Sequence, residues 1–416
     1  MTAVAAIRTG DRLPAFALFG AVLSGAGLPI YMYAPKFFAD NYGVSLATLG
    51  AVLFGLRLFD VVQDPALGWV SERLRGARGV AVALGAGLLA ISMIGLFAVA
   101  PPVPPAWWFG ITLTGLFTAF SFLTINFYAQ GITKAGEIAG GHVRLAAWRE
   151  TGALLGVSVA AVIPTVLMGV TDAPFTVFAL GFAAVTALAA LAMAPEWQGG
   201  AVADPTPVRD ILGDTVARRL LLLALVNAVP LAVSSTLFLF FVESGLQAPG
   251  WEGPLLVLFF LAAAASAPFW GWAAGRWGAK PVLLSAMVLA IATFAGVLAL
   301  GPGDIALFAL ICVLSGATIG ADLTLMPALF ARRMATISPN GGQGFGLWSL
   351  VTKLSLAFAA VALLPLLEAS GFRSGAADNP PEALRMLTYL YALVPCLLKL
   401  LAIGLLVAIP LEEERQ

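Results

Sequence analysis

The sequence predicts an all-α membrane protein that crosses the bilayer many times, and three observations support this fold class. Hydrophobic residues make up 60% of the 416 residues and charged residues only 11%, with a mean hydropathy of +0.96. The apolar residues form windows of about 20, the length at which a helix spans the hydrocarbon core. Basic residues gather in alternate connections between these windows. Lipid is therefore the expected solvent for most of the chain.

The windows predict twelve transmembrane helices, at residues 14–39, 45–70, 78–100, 106–133, 143–171, 174–194, 216–244, 251–275, 280–301, 304–333, 343–369 and 384–410. An even number of spans places both termini on one side, and most of the 22 Lys and Arg residues fall on that side. The opposite side holds only Lys36, Arg373 and Arg385. By the positive-inside rule, we expect a multi-pass protein of the inner (plasma) membrane with both termini in the cytoplasm.

A polar linker divides the predicted helices into two sets of six. It covers residues 195–215, between an N-terminal half at 1–194 and a C-terminal half at 216–416. Residues 65–73 (PALGWVSER) and 268–276 (PFWGWAAGR) share Pro, Gly, Trp and Arg at the same offsets, each at the end of the second helix of its half. Gly68 and Gly271 are expected to allow close helix approach. Two parallel repeats with a site between them at mid-membrane predict the major facilitator fold.

Composition argues against several other classes of function. The net charge is zero and no basic stripe is present in the sequence, so we expect no nucleic-acid partner. Cys312 and Cys396 lie in apolar segments, and the only histidine, His142, falls in a predicted cytoplasmic loop. This leaves no nucleophile–base pair and no metal-ligand spacing. We therefore expect neither an enzyme nor a metal or cofactor, apart from a coupling ion.

The second predicted helix carries charges that are costly in hydrocarbon. Asp60 and Asp64 are spaced i, i+4, so both carboxylates lie on one face about 6 Å apart along the axis. With Gln63 they offer oxygen ligands for Na⁺, or a carboxylate that takes a proton. Alternatively, Arg57 and Asp60 form a structural ion pair. Both interpretations remain open, and both can hold at once.

Two further charges lie deep in the second half, Asp322 in the tenth span and Lys353 in the eleventh. They are expected to neutralise each other, either in a static salt bridge or as part of a site. Lys399, flanked by leucines, either extends to the interface or lines the cavity.

Several short stretches resemble the glycoside-pentoside-hexuronide:cation symporters, the melibiose/sodium symporter family of the major facilitator superfamily. They are RLFDVVQDPALG, LTINFYAQG, AAWRE, FLFFVESGL, GADLTLMPALF and GLWSLVTKLSLAFA, which occur in this order along the chain. The resemblance implies a cation site at Asp60, Gln63, Asp64 and Ser121. It also implies a substrate cavity at Tyr128, Arg149 and Lys353.

The sequence departs from this family at two positions. Where its sugar transporters place carboxylates that hold sugar hydroxyls, this chain has Ser24 and Thr124. We expect these hydroxyls to contact the solute without contributing charge. Arg149 and Lys353 are expected to line one cavity from opposite halves, and two cations facing each other across water there would favour an acid-bearing solute.

The expected function is cation-coupled symport, with Na⁺ or H⁺, of a small organic solute such as a glycoside or another sugar-like compound. The alternatives are a major facilitator exporter or antiporter and a lysolipid-type transporter. A membrane sensor or assembly factor is disfavoured, because such a protein has no need of the buried Asp60–Asp64 pair. We expect the lipid bilayer and the solute as partners, and a functional monomer.

Overall fold

The computed structural model describes residues 11–138, 141–197, 206–372 and 379–410, and the regular secondary structure in these ranges is all helical, joined by short turns and loops. The α-helices are α1 Leu13–Met32, α2 Ala34–Tyr42, α3 Leu46–Arg73, α4 Arg78–Phe97, α5 Pro105–Ala135, α6 Gly141–Met168, α7 Pro174–Met193, α8 Val208–Gly213, α9 Thr215–Phe240, α10 Glu252–Trp277, α11 Ala279–Phe294, α12 Ile305–Ile337, α13 Gly342–Ala369, α14 Pro381–Thr388 and α15 Val394–Ala408. Two π-helical turns, Phe241–Gly245 and Tyr389–Leu393, extend α9 and join α14 to α15.

The all-α membrane fold class is confirmed. Among the described residues, nine helices are long and apolar enough to cross a membrane. The other three predicted spans correspond to α1 with α2, to α3 and to α13. These segments are helical as well, and some of their side chains lie outside the described residues. The count of twelve spans stays a prediction.

Local sequence explains where the helices begin. Ser45 caps α3 by accepting a hydrogen bond from the backbone N–H of Thr48, at 3.2 Å. Asp214 caps α9 in the same way, accepting from the N–H of Ala217 at 2.7 Å. Prolines occupy the first turns of α2, α5, α7, α14 and α15. A proline is tolerated there because the first N–H groups of a helix have no intrahelical partner.

Three parts of the chain differ from the sequence-based expectation. The first predicted span is divided at Tyr33 into α1 and α2, because Pro35 favours a helix start over a helix interior. The predicted linker contains α8, whose Ile211 is fully buried. His142 is the second residue of α6 and is half-buried, whereas a loop position was expected.

The two predicted halves meet most extensively along two helix pairs, α3 with α13 and α6 with α10, and α5 and α6 also contact α12 and α13 of the other half. Gly68 brings the first pair together, because a Cβ at this position would lie 2.7 Å from the carbonyl oxygen of Gly342. Gly271 does the same for the second pair, where a Cβ would lie 2.7 Å from the Cβ of Ala147. The prediction that these repeat-related glycines allow close helix approach is thus confirmed.

Glu72 adds a polar link at the same end of the α3–α13 pair. One carboxylate oxygen accepts from the N–H of Gln343, in the first turn of α13, at 2.7 Å, and the other accepts from the N–H of Thr206 at 2.8 Å. Glu72 is fully buried. The carboxylate therefore satisfies the N–H of Gln343 at the positive end of the α13 dipole and connects the two halves through α3 and α13.

Candidate functional site: a charge cluster between the two halves

Lys353 of α13 reaches across to the first half and contacts the carboxylate pair of α3. Its Nζ lies 3.2 Å from Oδ2 of Asp60 and 2.9 Å from Oδ2 of Asp64. It also donates to Oδ1 of Asp64 at 3.0 Å and to Oγ of Ser121, on α5, at 2.7 Å. One ammonium group therefore connects α13 to two helices of the other half.

The helices position these groups by their shared period. Asp60, Asp64 and Gly68 follow one another at four-residue intervals on α3, on the face that meets α13. Ser349 and Lys353 are spaced i, i+4 on α13, and Ser349 donates to Oδ2 of Asp64 at 2.6 Å. The antiparallel contact thus places glycines at its end and charges near its middle.

The cluster is shielded from solvent. Asp60 is 1% and Asp64 0% exposed, and the Lys353 side chain is 12% exposed. Two carboxylates so close together in a low-dielectric environment require positive compensation. The sequence predicted that a coupling ion would supply it, whereas in this conformation the ammonium of Lys353 provides a positive charge at that position.

The sequence also predicted Gln63 as a ligand and Arg57 as a charge partner. The Oε1 atom of Gln63 accepts from the hydroxyl of Thr118, on α5, at 2.7 Å. Gln63 thus lies beside the cluster but bonds to α5. The side chain of Arg57 lies outside the described residues.

A second polar group joins two of the predicted substrate residues. The guanidinium carbon of Arg149 lies 3.8 Å from the ring centroid of Tyr128, as expected for a cation–π contact. Glu150 accepts from Nε of Arg149 at 2.8 Å and from the hydroxyl of Tyr128 at 3.1 Å. Glu150 was missed as a site residue, although a buried arginine requires an anion and the adjacent acid in AAWRE was a visible candidate.

Aromatic side chains connect this group to the second half. The Tyr128 ring centroid lies 5.0 Å from that of Phe345, on α13. Phe345 contacts Phe330 of α12 at 5.5 Å, and Phe330 contacts Trp348 at 5.0 Å. The predicted substrate residues therefore border the contact between the halves.

The two hydroxyl residues predicted from the family comparison lie on different helices of the first half. Ser24 is half-buried on α1. Thr124 is on α5, and its Oγ1 atom is buried without a hydrogen-bond partner among the described residues. A buried hydroxyl in this state has an unused donor and acceptor, which a bound molecule can satisfy.

The predicted pairing of Asp322 with Lys353 is wrong. Lys353 is engaged by the carboxylates of α3, and Asp322 instead forms an ion pair with Lys399 of α15. Lys399 also donates to Oδ1 of Asn227, on α9, at 2.8 Å. Lys399 is only 6% exposed, so its charge is compensated inside the second half and does not extend to the interface.

The sequence matches the model of a known protein family, and the structure resembles solved structures of other proteins. The model of a family described as MFS/sugar transport protein matches residues 14–413. The crystal structure of a bacterial homologue of the iron transporter ferroportin in an outward-facing state superposes with a TM-score of 0.73 at 14% identity, covering 95% of this chain and 98% of that one. The same homologue with soaked iron gives a TM-score of 0.69 at 14% identity and the same coverage. No curated protein matches the sequence.

At this level of identity the structural likeness concerns the fold alone. Within the described part of the chain, no group of three or more His, Cys, Asp or Glu side chains could hold a metal ion. The ion-binding capacity of the cluster therefore has to be considered from its carboxylate and hydroxyl oxygens.

Proposed function

We propose that this protein couples the entry of Na⁺ or H⁺ to the import of a small neutral solute of the glycoside type. The premise is that the chain belongs to the MFS/sugar transport protein family of the major facilitator superfamily and is a multi-pass membrane transporter. The protein transports its solute by alternating access between its two halves. It lies in the inner (plasma) membrane with both termini in the cytoplasm, acts as a monomer, and needs no cofactor beyond the coupling ion.

The observation that carries this proposal is the contact of Lys353 with Asp60, Asp64 and Ser121. The ammonium holds the same oxygens that a cation would use, so Lys353 and the cation exclude each other. Because Lys353 belongs to the other half, a cation can enter only when the α3–α13 contact loosens. Ion binding is thereby linked to the relative position of the halves.

The competition between Lys353 and the cation explains how ion binding is coupled to solute transport. A cation or a proton at the carboxylate pair favours the state in which Lys353 has left, and a solute that binds the same state is favoured with it. By thermodynamic linkage the two effects are equal: the bound solute raises the affinity for the ion by the same factor as the bound ion raises the affinity for the solute. A typical coupling free energy of about 1–3 kcal/mol changes affinity roughly 5- to 150-fold.

The charge at Arg149 favours a neutral solute. Arg149 is neutralised by Glu150, and both residues lie on α6, so this pair does not depend on the contact between α3 and α13. An anionic solute would have to displace Glu150, whereas a sugar-like molecule needs only hydrogen bonds. Thr124 offers a hydroxyl for such a bond, because its Oγ1 atom has no hydrogen-bond partner among the described residues.

Transport in proteoliposomes tests the proposal. Counterflow with a panel of neutral glycosides and the matching uronic acids identifies the solute, and imposed Na⁺ or proton gradients identify the ion. Asp60→Asn and Asp64→Asn should lose gradient-driven accumulation while solute exchange continues, because the ion site is lost and the solute site remains. Asp210→Asn, at an exposed acid outside the spans, is the control and should accumulate solute normally.

A Lys353→Met variant extends the test to the bridging lysine. With the competing ammonium removed, half-maximal uptake should need about tenfold less of the coupling ion, which corresponds to about 1.4 kcal/mol. Full accumulation by either Asp variant, or an unchanged ion dependence in Lys353→Met, would overturn the assignment. Ion-driven efflux in place of uptake would instead support the exporter alternative.

A further inference from the structure

A cavity of about 460 Å³ lies between helices of the second half of the protein and opens to its surface beside Leu239, which is 52% exposed. Its lining residues come from α9, α10, α11, α12, α15 and the π-helical turn before α15. It is therefore separate from the cluster around Lys353, which lies where α13 meets the first half. The volume falls within the range of small-molecule binding sites, roughly 300–1,000 Å³.

Aromatic side chains form much of the cavity wall. The rings of Phe238 and Phe308 are stacked with centroids 6.3 Å apart, and those of Phe294 and Tyr391 are 5.4 Å apart. Phe259 and Phe260 of α10 complete the aromatic part of the lining. Such walls favour an apolar ligand with a flat ring.

A buried polar group is the exception in this apolar lining. It consists of Asp322, Lys399 and Asn227, all of which line the cavity and are 6–7% exposed. Lys399 donates to Asn227 and forms an ion pair with Oδ2 of Asp322. The other carboxylate oxygen, Oδ1, is buried and has no hydrogen-bond partner among the described residues.

Neighbouring hydroxyls in the lining already have acceptors for their protons. Ser315 donates to the carbonyl of Ile311 at 2.6 Å, and Ser234 donates to the carbonyl of Pro230 at 2.7 Å. These bonds follow the usual pattern of Ser in membrane helices. The unmet requirement in the cavity is therefore a donor for Oδ1 of Asp322, since an unsatisfied buried carboxylate oxygen is costly.

We propose that this cavity binds a hydrophobic alcohol or phenol. The hydroxyl of the ligand donates to Oδ1 of Asp322, and its apolar body packs among the phenylalanines. Charge selects this class: Lys399 already neutralises Asp322, so a cationic ligand would be repelled by the lysine and an anionic one by the carboxylate. The site lies within one half, so the proposal does not depend on the transport mechanism proposed above.

Binding of tritiated 1-naphthol to the full chain in lipid nanodiscs tests the proposal, with empty nanodiscs subtracted. We expect one saturable site per protein. Unlabelled 1-methoxynaphthalene, which keeps the ring but lacks the donor, should compete at least about tenfold more weakly than 1-naphthol, because the hydrogen bond to a charged acceptor is lost. Absence of saturable binding, or equal competition by the two compounds, would overturn the proposal.

Two variants locate the site. Ser315→Leu fills the cavity and should abolish binding of 1-naphthol, whereas Ser285→Leu, at a serine of α11 outside the lining, should leave it unchanged. Asp322→Asn should reduce the preference for 1-naphthol over its methyl ether. If Asp322→Asn does not fold, the two leucine variants still decide the location, and unchanged binding in Ser315→Leu would contradict it.

Discussion

Replacing Gly68 by alanine should shift the protein away from the conformation described here. The added Cβ would lie 2.7 Å from the carbonyl oxygen of Gly342 and 3.3 Å from the Cα of Gln343, whereas ordinary contact begins at 3.4 Å. Both neighbours are backbone atoms of α13, which cannot rotate away as a side chain can. The α3–α13 pair must therefore separate by about 0.7 Å, the difference between 2.7 and 3.4 Å.

The cost of this contact sets the size of the shift. Overpacking of a close helix contact typically costs about 1–3 kcal/mol. The higher helix propensity of alanine acts equally in both conformations, since α3 is helical in each, and it cancels from the ratio. The population ratio of separated to closed halves at this end should therefore rise roughly 5- to 150-fold.

The distance between the two halves at this end reports the shift. Spin labels at Ala77→Cys and Thr336→Cys, both exposed positions at the ends of helices, can be introduced after the native Cys312 and Cys396 are replaced by alanine. Pulsed electron–electron double resonance in nanodiscs then gives the distance distribution. Gly68→Ala should transfer population from the short to the long component.

A glycine on the same helix provides the control. A Cβ at Gly55 would have no neighbour within 4 Å among the described residues, so Gly55→Ala should leave the distribution unchanged. The steric reasoning is refuted if Gly68→Ala behaves as wild type, or if both variants shift the distribution equally.

Three further outcomes are expected. Thr124→Val removes a buried hydroxyl that has no hydrogen-bond partner among the described residues. In the absence of solute it should raise the free energy of unfolding by about 1 kcal/mol, and it should weaken solute binding. Lower stability together with unchanged solute affinity would contradict this prediction. Glu150→Ala leaves Arg149 buried without its anion and should destabilise the protein by about 3–5 kcal/mol in thermal unfolding in detergent, an effect that an unaltered melting temperature would exclude. The hydrogen bond from Arg333 holds the pKa of Asp214 below its usual value, so the ionised Asp214 carboxylate stabilises the folded state. This stabilisation is fully present above the unfolded-state pKa of about 3.9 and is lost as pH falls through the lower folded-state pKa. Unfolding measured across pH 2–6 should therefore show a smaller acid loss in Asp214→Asn, which keeps a helix cap, than in wild type.

Much of the fold and the identity of the key charged groups were available from the sequence. Twenty-residue apolar windows and the distribution of Lys and Arg predict a multi-pass membrane protein without reference to contacts, because the bilayer imposes length and charge rules on each helix separately. The repeat singled out Gly68 and Gly271. The i, i+4 spacing placed Asp60 and Asp64 on one face of α3, since helix geometry alone fixes which residues share a face.

Only the tertiary structure decided which charges meet. The sequence paired Arg57 with Asp60 and Lys353 with Asp322 and gave Lys399 no partner, because depth along a span does not show which charges meet. The packing of α13 against α3 brings Lys353 to the carboxylates of the other half and leaves Asp322 to Lys399. Coulombic attraction in a membrane protein acts over a few ångströms of side-chain reach, so the pairing follows from which helix faces are in contact, and that depends on the packing of all the helices together.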